Sequence, residues 1–196
     1  MVTWKRFAYV ETGGNADVMT ISSIPTTAKY IRLIIEIKRN GTMDNVSFRF
    51  NDDDDDNYSW QYNKNGDTTG ATGDYNYLRF WYQGAADGFA IVDIININGK
   101  EKMVMSNACM QESNNECKNT QMVGKWIESE LINKITIHEF HGSNTFGDGT
   151  SVTVLIRDEG TTVYDYPDLK NGATFLTSDT NKLYMWNGTD TWNEVS

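Results

Sequence analysis

Five consecutive aspartates at positions 52 to 56 are the residues of this chain best suited to chemistry. Neighbouring carboxylates repel one another, and a hard cation with six to eight oxygen ligands relieves that repulsion. Asp52, Asp54 and Asp56 have the spacing of the first, third and fifth positions of a calcium loop, so they are the candidate metal ligands. Asn57 and Asn63 replace the glycine and the glutamate of an EF-hand, which this segment therefore is not. The competing interpretation is a hydrated loop between strands, with no cofactor at all.

The histidines and cysteines are too few and too badly spaced for a zinc site. His138 and His141 are three residues apart, and on a strand they would point to opposite faces of the sheet. Cys109 and Cys117 flank a polar insert that is typical of a loop between two strands. A disulfide across that loop fits the spacing, and a reduced pair is the alternative.

Acid–base catalysis has only nominal candidates. Glycoside hydrolysis needs a buried acid and a second carboxylate at a suitable distance, and nothing selects such a pair among Glu128, Glu130 and Glu139. The sequence contains no Gly-x-Ser-x-Gly elbow, phosphate-binding loop or dinucleotide glycine fingerprint. We therefore expect that the protein is not an enzyme.

Aromatic residues are the remaining candidates for contact with a ligand or a partner. Tyr58, Trp60 and Tyr62 alternate with polar residues, so they share one face of a strand. Such a face either packs in the core or presents its rings to a sugar or a neighbouring subunit. The candidate interface and ligand residues are Trp60, Tyr62, Trp81, Tyr184, Trp186 and Trp192.

Charge and composition narrow the classes of partner. The chain has 196 residues and a formal net charge of −10, which repels phosphate backbones because no basic patch offsets it. No apolar run reaches the roughly 18 residues that cross a bilayer. The N-terminus also lacks the apolar core of a signal peptide. We expect no nucleic-acid binding, no membrane insertion and synthesis in the cytoplasm.

The elements that must position these residues are strands. Short segments of alternating polar and apolar residues, such as 46 to 50 and 58 to 62, are separated by turn signals such as Asn65–Gly66 and Asn98–Gly99. About ten such segments without a long helical period predict an all-β fold, an antiparallel β-sandwich of jelly-roll type. One helical turn within residues 125 to 132 is the alternative for that segment.

Three regions are predicted along the chain. Residues 1 to 16 form an N-terminal arm or first strand, residues 17 to 160 the sandwich, and residues 161 to 196 a linker and a small β-hairpin. The hairpin signal is an alternating segment from Lys182 to Trp186, the turn dipeptide Asn187–Gly188, and a second strand to Val195. A hairpin of this size is not stable alone, so it must lie on another element.

The C-terminal segment also resembles a tag found on structural proteins of tailed bacterial and archaeal viruses. The residues that carry the likeness are Gly172, Phe175, Asp179, Thr180, Lys182, Tyr184, Asn187, Gly188 and Trp192. A weaker likeness to a family of phage virion proteins runs through the body, at Ile24–Pro25, Arg49–Phe50–Asn51 and Asn57–Tyr58. The acidic run departs from that pattern, in which a shorter turn with glycine is usual.

The resemblance implies a virion structural protein that is assembled in the host cytoplasm. Its expected role is capsid decoration, or a head-fibre or tail-fibre component, acting by self-association and docking. The expected partners are other copies of itself, as a homotrimer, and virion proteins such as the major capsid or tail proteins. The alternative from another class is a lectin-like, carbohydrate-binding module for host surface glycans, with or without calcium.

Overall fold

The computed structural model describes residues 4–40, 43–84, 87–111, 117–139, 145–158, 174–176, 183–186 and 192–195. These residues form strands and loops and no helix. The strands are β1 (Lys5–Glu11), β2 (Val18–Ile21), β3 (Ala28–Ile37), β4 (Arg39–Asn40), β5 (Met43–Phe50), β6 (Tyr58–Lys64), β7 (Asp67–Tyr75), β8 (Leu78–Gly84), β9 (Gly88–Ile95), β10 (Lys102–Gln111), β11 (Cys117–Trp126), β12 (Ile135–Glu139), β13 (Thr145–Phe146), β14 (Ser151–Asp158), β15 (Thr174–Leu176), β16 (Leu183–Trp186) and β17 (Trp192–Val195).

The chain divides into two compact units. The first spans residues 3 to 159, and the second comprises residues 1 and 2 together with those from Gly160 onward. The boundaries expected after residues 16 and 160 stay predictions.

The first unit is a sandwich of two antiparallel sheets, which confirms the predicted fold class. The larger sheet has eight strands in the order β1-β14-β3-β9-β10-β11-β6-β7, and the smaller has four in the order β2-β12-β5-β8. A two-stranded ribbon of β4 and β13 lies apart from both. Every pairing in these sheets is antiparallel, and only β6–β7, β9–β10 and β10–β11 join strands that are consecutive in the chain.

The core lies between the inner faces of the two sheets. Strand β3 shows why: its burial alternates, with Ile31, Leu33, Ile35 and Ile37 almost completely buried. This period of two is the consequence of the pleat, which turns successive side chains to opposite faces. The smaller sheet contributes large aromatic rings, with Phe48 5.4 Å from both Phe50 and Phe80, measured between ring centroids.

Gly124 on β11 is closely packed against β8 of the smaller sheet and against neighbouring strand β6. A Cβ atom at this position would lie 2.6 Å from Cδ2 of Leu78 on β8 and 2.9 Å from the carbonyl oxygen of Ser59 on β6. Both distances are shorter than van der Waals contact, so the packing requires glycine here.

Residues 5 to 11 form edge strand β1, which pairs with β14, so the described part of the N-terminal region is the first strand of the two predicted alternatives. Three segments differ from the sequence predictions. The segment from 70 to 73, whose two glycines are typical of a turn, lies inside β7, because its backbone pairs with β6. Residues 127 to 134 form a loop and not a helical turn. The C-terminal unit contains a three-stranded sheet, β15-β16-β17, so that the predicted hairpin gains a third strand.

Candidate docking surface

The outward-pointing side chains of five central strands form a continuous surface on the larger sheet, here called the outer face. Its residues are the alternate positions of β3, β9, β10, β11 and β6 that point away from the core: Tyr30, Arg32, Ile34, Glu36, Phe89, Ile91, Asp93, Ile95, Met103, Met105, Asn107, Cys109, Asn119, Gln121, Val123, Lys125, Ser59, Gln61 and Asn63. The pleat determines this set once the other positions are buried in the core.

Large apolar side chains are exposed toward one end of the outer face, on its central strands β9, β10 and β11. Ile95, Met103, Met105 and Val123 form this cluster, here called the apolar patch, and Val123 is 52% and Met105 58% exposed. The register makes them neighbours, because Met103 lies opposite Ile95 and Met105 lies opposite Val123. Phe89, 45% exposed, stands farther along β9. Of the nine large apolar residues that are exposed in the described parts of the chain, five therefore lie on this face.

The charged groups of the outer face are held in ion pairs. The guanidinium of Arg32 donates two hydrogen bonds to the carboxylate of Asp93, at 2.6 and 2.8 Å, and this contact raises the pKa of Arg32. At the opposite side of the patch, Nζ of Lys125 lies 3.0 Å from a carboxylate oxygen of Glu101. Half-exposed pairs such as these contribute little to stability, but they neutralise the surface around the patch.

An aromatic and guanidinium cluster borders the face next to β3. The Arg32 guanidinium carbon lies 4.9 Å from the ring centre of Trp4, and that of Arg157 lies 5.5 Å from the same ring. Arg157 also stands 4.1 Å from the ring centre of Tyr30. Contacts between a cation and the face of an aromatic ring are attractive at such distances. They hold Trp4, just before β1, against this side of the sheet.

A shallow depression of about 390 Å³ adjoins the apolar patch. Met103 and Val123 form its apolar side, and Ser59, Gln61 and Lys125 supply polar groups. A depression with apolar walls and a few polar groups can hold part of a small ligand or one protruding side chain of a partner.

The acidic run, which contains the three candidate metal ligands Asp52, Asp54 and Asp56, takes part in the structure of the sandwich. Nζ of Lys134 donates a hydrogen bond of 2.7 Å to Asp52. Asp53 accepts hydrogen bonds from Nε1 of Trp126 and, at 3.0 Å, from Nδ2 of Asn57. The aspartate that matters most to this packing is thus Asp53, which the calcium spacing omits. Asp54 and Asp56 are exposed.

Asn51 explains why this loop is ordered. Its side-chain oxygen accepts hydrogen bonds from the backbone of Asn133 and Lys134, and its amide donates to the carbonyl of Leu131 at 3.0 Å. Both Asn51 and Asp52 have positive φ angles, of 53° and 61°, which asparagine and aspartate tolerate better than most residues. Among the described residues, which include all five aspartates, no group of three or more acidic, histidine or cysteine side chains is placed to hold a metal ion. Calcium binding by Asp52, Asp54 and Asp56 stays a prediction.

The aromatic candidates separate according to burial. Trp60 is 5% exposed and packs in the core, which is one of the two alternatives for its face of the strand. Tyr62 is half-buried, with its ring centre 5.3 Å from that of Trp60. The side chains of Trp81, Tyr184, Trp186 and Trp192 lie outside the described residues.

The two cysteines lie on neighbouring strands but not directly opposite each other. Cys109 on β10 faces Asn119, and Cys117 on β11 faces Gln111. Diagonal partners in a ladder are about 7–8 Å apart between Cα atoms, which exceeds the span of about 4.4–6.8 Å that a disulfide bridges. A Cys109–Cys117 bridge would therefore require this end of the ladder to change.

The remaining titratable candidates, where the structure describes them, do not form one site. His138 is half-buried on β12, where burial and then the charge of Arg49 lower its pKa. His141 lies outside the described residues. Glu139 is buried, whereas Glu128 and Glu130 are exposed in the loop after β11.

The apolar patch itself was missed by reasoning from the sequence. Met103, Met105 and Val123 each sit in a segment where both sets of alternate residues contain apolar side chains, so the pattern does not identify the exposed set. The usable signal was the choice of flexible methionine at two alternate positions, a residue common on adaptable binding surfaces.

Comparison with known proteins found no match. Neither a protein-family model nor the sequence of a curated protein matches this chain. In the described parts of the chain, no helix is long and apolar enough to cross a membrane.

Proposed function

We propose that this protein is a virion structural protein of a tailed virus, a capsid-decorating, head-fibre or tail-fibre component that acts by self-association and docking. The observation that carries the proposal is the apolar patch. Its side chains are about half exposed at the centre of a sheet, where a monomer gains nothing from them. Exposed apolar surface of this kind, bordered by polar residues, is typical of protein–protein interfaces.

The C-terminal likeness to virion proteins supports the choice of a tailed virus. The matching residues belong to a segment whose described strands form a small three-stranded sheet, in a compact unit of its own. A chain that has a small β unit in addition to a larger sandwich suits a protein that docks with one part and associates with another. We take the partners to be other copies of the chain and virion proteins such as the major capsid or tail proteins.

Immunogold electron microscopy tests this assignment. Antibodies against the purified protein are applied to tailed particles produced by cultures that carry the gene. Labelling at one constant position on the particle, on the head or along the tail, is the expected result. Particles that stay unlabelled while the protein is abundant in the same lysate would refute the assignment.

A carbohydrate-binding function is the second candidate, and the depression beside the apolar patch favours it. The amide of Gln61, the hydroxyl of Ser59 and the ammonium of Lys125 could hydrogen-bond sugar hydroxyls there, while Met103 and Val123 contact the ring. A glycan array with the wild-type protein and the Gln61→Ala variant tests this. We would abandon the candidate if no glycan binds, or if Gln61→Ala binds as well as wild type. Repeating the array with a calcium chelator would show whether Asp52, Asp54 and Asp56 contribute.

A further inference from the structure

We propose that a second copy of this chain packs on the outer face, so that the unit of assembly is a dimer joined through the apolar patch. This inference rests on the self-association in the proposed function; it adds the surface and its occupant, and it replaces the homotrimer that the resemblance implies with a two-fold dimer. Three observations support it: the charge of the face, its size and the pairing of its ionic groups.

The charge of the outer face favours another copy of this chain. The whole chain has a net charge of −10, so two copies repel each other in most orientations. The outer face carries two cationic residues, Arg32 and Lys125, and two anionic ones, Glu36 and Asp93, which cancel. Contact through this face therefore adds no local pairing of like charges to the repulsion that the net charges of two copies cause.

The ionic groups of the face already have partners within the chain. Asp93 binds Arg32, Glu36 lies 2.6 Å from Nζ of Lys38, and Lys125 pairs with Glu101. Leaving one charge buried and unpaired is what makes charged interfaces costly. Each charged side chain of the face already has an oppositely charged partner in the same chain. A second neutral face can therefore cover this one without leaving a buried, unpaired charge. A strongly charged partner would gain no net electrostatic attraction here, because the charges of the outer face cancel.

The size of the face fits a small dimer interface. The face consists of five strands about 4.8 Å apart, each about seven residues long with a rise of roughly 3.3 Å per residue, so its flat area is on the order of 550 Å². The protruding side chains increase the accessible surface beyond this flat area. A stable interface buries about 800 Å² on each partner. The outer face reaches that range when most of it is used, with the apolar patch in the half of the face near Ile95 and Met103.

Contact of one face with the same face of another copy is two-fold. In such an isologous interface each residue of the patch meets the patch of the partner, so a single substitution acts twice. Lysine in place of a central apolar residue would set two like charges against each other in an apolar contact. The dimer should be far more sensitive to this change than the monomer, because the wild-type side chains are already about half exposed to water.

Light scattering on the purified full-length chain tests the inference, with a matched pair of variants. Val123→Lys changes a residue of the patch that is 52% exposed, and Val18→Lys makes the same change on β2 of the smaller sheet, where valine is 39% exposed. The wild type and Val18→Lys should have twice the chain mass of 22.3 kDa. We expect Val123→Lys to raise the dimer dissociation constant about a hundredfold or more, as loss of a central contact does in other interfaces.

Circular dichroism and thermal melting of both variants establish that they fold, and Met105→Lys provides a second variant of the patch. A wild-type protein that remains a monomer at high concentration would overturn the inference. So would a dimer, or a trimer, whose mass is unchanged by both Val123→Lys and Met105→Lys. Unlabelled virus particles together with a patch-dependent dimer would refute the virion assignment alone, and labelled particles with a monomeric protein would refute the dimer alone.

Discussion

The two faces of the larger sheet share the same strands and differ in what their side chains contact. On β10, Val104 points to the core and is 1% exposed, whereas its neighbours Met103 and Met105 point outward and are half exposed. On β11, Met122 is buried and Val123 is not. Both faces are apolar at the centre, yet only one is covered. Packing within the chain therefore explains the apolar residues of the inner face but not those of the outer face.

Removing the largest ring of the inner face should have the largest effect. Trp126 is fully buried, stacks on Tyr58 with ring centres 6.2 Å apart, and donates its indole N–H to Asp53. Trp126→Ala should lower the free energy of unfolding by about 4 kcal/mol, measured by urea denaturation. Trp4→Ala is the control, because Trp4 is half-buried beside two arginines and its loss should cost about 1 kcal/mol. Equal losses of unfolding free energy in the two variants would contradict the difference in burial between Trp126 and Trp4.

Adding one methyl group to the inner face tests how closely the sheets approach. Gly124→Ala places a Cβ atom against Leu78 and the backbone of Ser59, so we expect a loss of about 2 kcal/mol. Gly73→Ala on β7 meets no atom within 4 Å and should change stability by less than about 0.5 kcal/mol. A Gly124→Ala protein as stable as the wild type would show that the sheets can separate without cost.

Neighbouring residues on one strand give the most direct comparison of the two faces. Val104→Ala should lower the unfolding free energy by about 2 kcal/mol, through lost burial and the cavity left behind. Met105→Ala should change the stability of the monomer by less than about 0.5 kcal/mol, since that side chain is mostly in water. Both are measured by denaturation at concentrations low enough to keep the protein monomeric. A large effect of Met105→Ala under those conditions would mean that the outer face is packed within the chain.

The smallest effect concerns pH and the smaller sheet. Burial and Arg49 lower the pKa of His138 below its ordinary value of 6.5, although Asp17 and Asp52 act in the opposite direction. The unfolded chain therefore binds a proton at a higher pH than the folded chain, so stability is retained above pH 6.5 and is lost as pH falls through the lower folded-state pKa. His138→Gln should lose less stability than the wild type over this interval, in melts from pH 7.5 downwards. Parallel curves for the two proteins would contradict the prediction.

The fold was largely predictable because strands have a period of two that the sequence displays directly. Alternation in segments such as 46 to 50 and 58 to 62 predicted strands, and the structure places β5 and β6 there. β7 was only partly predicted. Its segment from Gly70 to Gly73 has the composition of a turn, and its pairing with β6 overrides that local preference.

The candidate surface was much less predictable, because it depends on which face of each strand is covered. Trp60 and the acidic run were the strongest chemical signals of the sequence. In the structure, Trp60 packs in the core and Asp53 accepts a hydrogen bond from the buried Trp126. Met103, Met105 and Val123 gave no such signal, and they became a cluster only when β9, β10 and β11 aligned in register.

The class of structure thus follows from the sequence alone, which indicates strands separated by turns. The acidity of the chain and the alternate side chains that must share a face also follow from it. These properties are local, since they follow from the pleat and from the chemistry of adjacent residues. Only the tertiary structure decided which alternate set is buried, which aspartate supports the core and which apolar residues meet on an open face. Those outcomes depend on strand pairing and on the contact of two sheets, which bring together residues that are far apart in the chain.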